Sequence, residues 1–297
     1  MAIPFLSVCL ITYNHENYIR QAIDGVLMQQ VNFEIELIIA DDFSTDATRS
    51  IIEEYRVKYP TIIRTILQSK NIGAANNWID LMEAPVGKYV AYQDGDDYWT
   101  DPLKLQKQVD FLEANPAAVM CFTNIEVFDD DTQKLGPYWT KTEDKQYNII
   151  DLINENVAPS CSIVFRNHLV DLRSSGISIL SIGDWPFYIL LLQFGYAKYM
   201  DFISAVYRVR SSSRFSKISF IRQLKMKSEV YNFFIQKPAF SKFKNEFKKA
   251  YCLNAYFLAI RLEKKDPMRK KYLNEIIYNF RYLDFTTVCK AVVKYIF

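Results

Sequence analysis

Residues 35–58 read IELIIADDFSTDATRSIIEEYRVK. The run from Ile35 to Ala40 is short, apolar and rich in isoleucine, as a buried strand requires, and Ala47 to Lys58 carries helical periodicity. A polar loop that opens on Asp41 and Asp42 joins them. The same alternation surrounds this unit. A strand-like run (Phe5 to Thr12) precedes a helical pattern (Ile19, Ile23, Val26, Leu27), and a strand (Ile62 to Leu67), a helix (Ala74 to Met82) and a strand (Tyr89 to Tyr92) follow. Strands alternating with helices of this length predict a Rossmann-like α/β fold, with a mainly parallel central sheet flanked by helices. Ligands of such sheets bind beyond the carboxyl ends of the strands, so polar residues with no role in the core should gather there.

They do gather there. Thr12, Tyr13 and Asn14 follow the first strand, Asp41 and Asp42 the second, and Asp94, Asp96 and Asp97 the fourth, within VAYQDGDDYWTDP at residues 90–102. Three carboxylates in four positions repel and raise one another's pKa unless a cation lies between them. The crevice suits a nucleotide whose base stacks on Tyr13 and whose ring nitrogen donates to Asp42. Carboxylates do not bind phosphate directly. A hard divalent cation, Mg²⁺ or Mn²⁺, is the natural bridge, because it takes few protein carboxylates and fills its shell with phosphate and water.

Composition narrows the class. Half of the 297 residues are apolar, enough for a large core, and Gly and Pro are sparse. The apolar run from Phe5 to Ile11 is too short for a signal peptide, and no stretch approaches the roughly 18–20 apolar residues that span a bilayer. The expected location is the cytoplasm. Cys9, Cys121, Cys161, Cys252 and Cys289 form no CxxC pair and read as reduced core residues; with only His15 and His168 beside them, zinc is not expected. Net charge divides the chain: residues 205–297 carry 21 Lys and Arg against 6 Asp and Glu, a net +15, which leaves −13 for residues 1–204.

In order and spacing, SVCLITYN, ELIIADDFSTDAT, the KNIG of Lys70 to Gly73 and AYQDGDD resemble the nucleotide-binding half of the family 2 glycosyltransferases of GT-A fold. The resemblance covers residues 5–210. It implies a GT-A catalytic domain over 1–210, with nucleotide-sugar and acceptor sites, and leaves 211–297 as a basic, aromatic-rich helical extension. It also implies that Thr12, Tyr13 and Asp42 hold the base, that Asp94 lies near the ribose or metal, and that Asp96 coordinates the metal, with Asp97 the alternative main ligand because members differ in how DxDD is used. Asn14 and Asn71 border the same crevice and count with the nucleotide contacts, although Asn71 and Gly73 also read as loop-shaping residues.

The family's acidic pair before a downstream helix reads Gly183–Asp184 here, so the resemblance implies Asp184 as the base of an inverting transfer. Arg210, in YRVRSSS, stands where family members carry a metal-binding histidine; an arginine there would grip the diphosphate instead. Ala158 to Phe165 matches the acceptor region, and the lack of a QxxRW motif argues against a processive synthase. The implied activity is non-processive transfer of a hexosyl or N-acetylhexosaminyl group from a nucleoside diphosphate donor, UDP first. The acceptor would be a hydroxyl of a glycan or lipid-linked molecule in bacterial surface polysaccharide synthesis. The alternative is a nucleotide-sugar-binding or assembly protein of the same fold that has lost turnover.

Several of these residues have a second reading. Asp101 before Pro102 reads as a helix cap, and Asp184 reads as a cap as well as a base. Ser44, Thr45 and Asp46 read as turn residues, Tyr13 as either core or base platform, Trp99 and Trp185 as walls or sugar platforms, and His15 as a surface histidine. Helical patterns recur through RQLKMKSEVYNFFIQ, FKNEFKKAYCLNAYFLAIRLEKK, MRKKYLNEIIYNFRYL and TTVCKAVVKYIF. They fit either peripheral contact with the anionic inner face of the cell membrane or a helical bundle packed on the catalytic domain or on a second subunit, as in a homodimer. Nucleic acid is not an expected partner, because the charge follows no recognisable motif.

Overall fold

The computed structural model describes residues 3–138, 145–211 and 218–283, so the last predicted helical run, TTVCKAVVKYIF, and Cys289 lie outside the described residues. The first half follows the predicted alternation: β1 (Leu6–Thr12), α1 (Ile19–Leu27), β2 (Ile35–Asp41), α2 (Thr48–Lys58), β3 (Ile63–Leu67), α3 (Ala74–Glu83) and β4 (Tyr89–Asp94). Beyond it come β5 (Tyr98–Trp99), α4 (Lys104–Ala114), β6 (Ala118–Asp129), β7 (Lys134–Tyr138), β8 (Gln146–Tyr147) and α5 (Ile149–Asn154). The chain continues through β9 (Val164–Arg166), α6 (Leu172–Ser175), α7 (Asp184–Leu191), β10 (Tyr196–Val209), α8 (Phe220–Gln236), α9 (Lys244–Arg261) and α10 (Pro267–Tyr278).

Among the described residues the strands form one sheet, ordered β3-β2-β1-β4-β9-β6-β10-β5, with β7 on β6 and β8 on β10. The first four strands are parallel. β9 runs antiparallel to both of its neighbours, β6 and β10 are parallel, and β5 is antiparallel to β10, so the sheet is mixed beyond β4. Central β1 has both faces covered, which explains its unbroken apolar run. Leu6, Val8 and Leu10 share one face with Leu37 and Ile39 of β2, and this face packs with Ile19, Ile23 and Val26 of α1, Ile52 of α2 and Leu105 and Val109 of α4. On the other face the Cys9 thiol donates to the Leu81 carbonyl of α3. Each of these fully buried aliphatic side chains contributes about 1.5–3 kcal/mol of transfer free energy. Cys9, Cys121, Cys161 and Cys252 are all free and buried, as small core residues should be.

The chain divides into two compact units. The first comprises Met1–Leu152, Asn156–Ile179 and Gly183–Ser211; the second comprises Ser212–Phe297 with the short segments Ile153–Glu155 and Leu180–Ile182. In the second, α8, α9 and α10 bury Leu224, Ala255, Leu258, Tyr272, Leu273 and Ile276 together. Phe234 meets Phe240 and Phe247 at 4.6 and 5.0 Å between ring centroids. Much of the aromatic content of this region is therefore internal to a helical bundle. No helix among the described residues is long and apolar enough to cross a membrane.

Candidate active site

Parallel pairing sets the strand ends level. Thr12 lies beside Asp41 and Ile11 beside Asp94, so the carboxyl ends of β2, β1 and β4 meet at one edge of the sheet. Asp41 is consumed there: fully buried, it accepts from the Ser44 amide at 3.0 Å, from the Ser44 hydroxyl and from Arg49 Nε at 2.5 Å. Asp42 is also buried, and its two oxygens accept from the backbone N–H groups of Ile72 (2.7 Å) and Gly73 (3.0 Å). Gly73 has φ +86°, a conformation that glycine adopts without strain. Asn71 Nδ2 donates to the Asp42 carbonyl at 3.1 Å, so the KNIG loop is fastened to Asp42 from both sides.

Tyr13 and Phe43 are the exposed aromatic rings of this edge, at 43% and 41%. Tyr13 is therefore not core. Asn14 Oδ1 accepts from the Thr45 amide at 2.8 Å, and the Asn14 amide donates to Ser44 Oγ at 2.8 Å, so Asn14 ties the loop after β1 to the loop after β2. Asp46 accepts from the amides of Thr48 and Glu16, which gives it the turn role read from the sequence.

The DGDD run closes onto the end of β1. The Gly95 amide donates to the Ile11 carbonyl at 2.8 Å, and a Cβ on Gly95 would stand 2.8 Å from Thr12 Oγ1 and 2.9 Å from His15 Nδ1. No side chain fits between the first two aspartates of this run. Asp94 accepts from the Tyr92 hydroxyl (2.8 Å) and the Ser160 hydroxyl (3.0 Å). Burial, with the Asp96 charge second, pushes its carboxyl up to about 7, and the charge of Asp184 acts in the same direction. Asp96 and Asp97 then diverge. Asp96 keeps 18% of its side chain exposed, pairs with Arg210 at 2.5 Å and has His15 Nε2 at 3.7 Å. Asp97 is buried, accepts from the Arg208 amide at 2.9 Å, and leaves Oδ2 without a hydrogen-bond partner. Burial, reinforced by Asp96 and Asp94, pushes the Asp97 carboxyl well up.

His15 is not a surface residue. Its side chain is 17% exposed, Nδ1 meets Thr12 Oγ1 at 3.2 Å, and burial lowers its pKa, which favours the neutral ring. Its place three residues after Thr12, in the loop that follows β1, was the available signal in the sequence.

Asp184 opens α7, with Gly183 at the cap position, so Asp184 is a first-turn residue and not the cap. Its carboxylate accepts from Asn156 Nδ2 at 3.2 Å, and burial raises its pKa. Trp99 and Trp185 are both buried and donate to the carbonyls of Cys161 (2.8 Å) and Leu152 (2.6 Å), which makes them core residues and not sugar platforms. Asp101 accepts from the Leu103 amide at 2.9 Å and pairs with Lys107; Leu103 holds the cap position of α4, so Asp101, three residues before the helix, is a turn residue and not its cap. Lys104 Nζ (3.3 Å) and Gln108 Nε2 (2.9 Å) both donate to the Ser162 carbonyl, and the Ser160 hydroxyl donates to Asp94, which fastens the Ser160–Ser162 turn on both sides.

The glycosyl transferase family 2 profile matches residues 7–172. The chain belongs to that family. An uncharacterized protein of Mycobacterium tuberculosis is 42% identical over 161 residues, 54% of this chain and 46% of that one, so the chain spans about half the length of such relatives. TuaG of Bacillus subtilis, a glycosyltransferase named for teichuronic acid biosynthesis, is 31% identical over 71% of this chain and 81% of its own. The structure of Staphylococcus aureus TarS 1–349 with UDP-GlcNAc superposes with a TM-score of 0.70 at 16% identity, covering 98% of this chain and 88% of that one. The mannosyltransferase PcManGT of Pyrobaculum calidifontis, solved with GDP-Man and Mn²⁺, gives 0.62 at 15% identity, over 99% and 80% of the two chains. These likenesses show the GT-A fold.

GT-A glycosyltransferases of this kind commonly use a divalent metal. Among the described residues no group of three or more His, Cys, Asp or Glu side chains converges to hold one. The partly exposed carboxylate of Asp96 nevertheless fits Mg²⁺ or Mn²⁺, which bind through one or two carboxylates and take phosphate and water for the rest.

Proposed function

We propose that the chain transfers a hexosyl or N-acetylhexosaminyl group from a nucleoside diphosphate, UDP first, to a hydroxyl of a glycan or lipid-linked acceptor. Transfer inverts the anomeric centre and adds one sugar per encounter, in the synthesis of a surface polysaccharide. One observation carries the reading: base-side residues at the ends of β1 and β2, acidic residues at the end of β4, and Asp184 at the start of α7 converge closely enough for the Asp184 charge to act on Asp94.

In this reading the exposed Tyr13 ring stacks on the base, Asp42 accepts from its ring nitrogen, and Thr12, Asn14 and Asn71 shape the wall around it. Phe43, at φ +64° and beside Asp42, is a second platform that the sequence did not single out. Asp94 faces the ribose. Asp96 is the protein's metal ligand, whereas Asp97 faces the interior and supports it. A divalent ion bound there supplies Lewis-acid stabilisation of the departing diphosphate. Arg210 adds a fixed cation beside that diphosphate. Asp184 accepts the proton of the acceptor hydroxyl as that oxygen bonds to the anomeric carbon and the bond to the diphosphate breaks. A carboxylate raised by burial is the stronger base for this step. The hydrogen bond from Asn156 aims it and favours its ionised form against the effect of burial.

The test is donor hydrolysis and transfer with UDP-, GDP- and dTDP-sugars and Mn²⁺. Turnover with one donor that is lost in Asp184→Asn supports the reading. Nucleotide binding without turnover for any donor and acceptor pair overturns the catalytic part and leaves a nucleotide-sugar-binding protein.

A further inference from the structure

Arg208 and Arg210 sit two residues apart at the end of β10, and both reach the ring of Tyr18. Their surroundings differ. Arg208 donates to Asp130 at 3.2 Å and to Gln21, and its guanidinium lies against Tyr18, Tyr98 and Phe128 at 5.1, 4.9 and 5.5 Å. Arg210 is held by one carboxylate, Asp96 at 2.5 Å, and lies over the Tyr18 ring at 4.5 Å. The Nε atoms of both arginines are buried without a hydrogen-bond partner, so the difference lies in what holds the rest of each guanidinium. Two polar partners and three rings fix Arg208, whereas Arg210 is tied to the one carboxylate that fits a metal.

We infer that Arg210 is a tethered cation that competes with the divalent metal for Asp96, so that metal enters the site together with the nucleotide and not ahead of it. The inference rests on the donor-site reading above. In the nucleotide-free protein the guanidinium neutralises Asp96, and a metal ion alone gains little there. A donor diphosphate offers the guanidinium phosphate oxygens in the planar geometry that its fork matches. Arg210 can then leave Asp96 while its guanidinium stays beside Tyr18, and Asp96 is released as a ligand. Linkage makes the effect reciprocal: nucleotide raises metal affinity by the same factor by which metal raises nucleotide affinity.

The experiment titrates Mn²⁺ into the full chain without nucleotide and follows free aqueous Mn²⁺ by electron paramagnetic resonance. Arg210→Gln should bind Mn²⁺ at least tenfold more tightly than the wild type, and that gain should vanish when Asp96→Ala is added. In calorimetry with UDP and Mn²⁺, Arg210→Gln should bind the nucleotide at least tenfold more weakly. Tyr18→Leu keeps the charge but removes the ring, and should raise Mn²⁺ affinity in the same direction by less, which serves if Arg210→Gln does not fold. Equal or weaker Mn²⁺ binding by both variants overturns the inference. A wild type that binds none of UDP, GDP, dTDP or CMP with Mn²⁺ overturns the donor-site reading instead, and the nucleotide-free titration still decides the competition.

Discussion

Replacing Lys104 with Met should change how stability depends on pH. Lys104 Nζ is fully buried, donates to Gln108 Oε1 at 2.6 Å and to the Ser162 carbonyl at 3.3 Å, and lies 4.5 Å from the Trp99 ring centre. The titratable groups that act on it are the Cys121 and Cys161 thiols and Asp101, none strong enough to offset burial, which lowers its pKa to about 7 from 10.5. Above pH 7 the unfolded chain therefore binds a proton that the folded chain does not, and stability rises with pH by up to about 1.4 kcal/mol per unit. Between pH 7 and 8.5 this amounts to about 2 kcal/mol. The window closes there, because Cys121, Tyr55 and Tyr89 have raised folded pKa values and begin to cost stability once their unfolded counterparts ionise. Lys104→Met keeps the length and removes the charge, while Gln108 still donates to the Ser162 carbonyl at 2.9 Å. Urea unfolding at pH 7.0 and 8.5 and matched ionic strength should show the wild type gaining about 2 kcal/mol relative to Lys104→Met across that interval. Parallel profiles for the two proteins would refute the reasoning.

Three further substitutions probe the site. Gly95→Ala drives a methyl group into Thr12 and His15 and should cost about 1–3 kcal/mol, read as a melting temperature lower by several degrees together with weaker UDP binding. Asp184→Asn should reduce transfer by about 10²–10⁴-fold while UDP binding, measured by calorimetry, stays near the wild-type value. Tyr13→Ala removes an exposed ring, so the melting temperature should hold while UDP affinity falls by roughly 1–3 kcal/mol, the worth of stacking one base on an aromatic side chain.

The parallel half of the sheet was legible in the sequence because its strands are buried on both faces and end at loops dense in Asp, Asn, Ser and Thr. Predicted and observed elements from β1 to β4 agree within two residues at each boundary. The mixed half was not legible. β6 and β10 pair over most of their length but carry Asn124, Glu126, Lys198, Asp201 and Arg208 among their apolar residues, and β10 shifts register at Met200/Ile203 and Ile203/Ala205, which breaks a simple alternation. The aspartates could be found in the sequence, but their orientations could not. Asp96 and Asp97 look equivalent in DGDD, and it is the Arg208 amide, supplied by a strand 111 residues further on, that draws Asp97 inward. Ser160 and Asn156 were invisible for the same reason, since their partners Asp94 and Asp184 are distant in sequence.

The most direct test of a metal-bridged donor site is thermal unfolding with UDP, GDP, dTDP and CMP, each with and without Mn²⁺, for the wild type and Asp96→Ala. At a hundredfold its dissociation constant, the correct nucleotide should add about 2.7 kcal/mol, a rise of roughly 4 °C for a chain of this size. The account predicts that rise for one nucleoside diphosphate, only with Mn²⁺, and its loss in Asp96→Ala. No shift with any nucleotide, with or without metal, would contradict it.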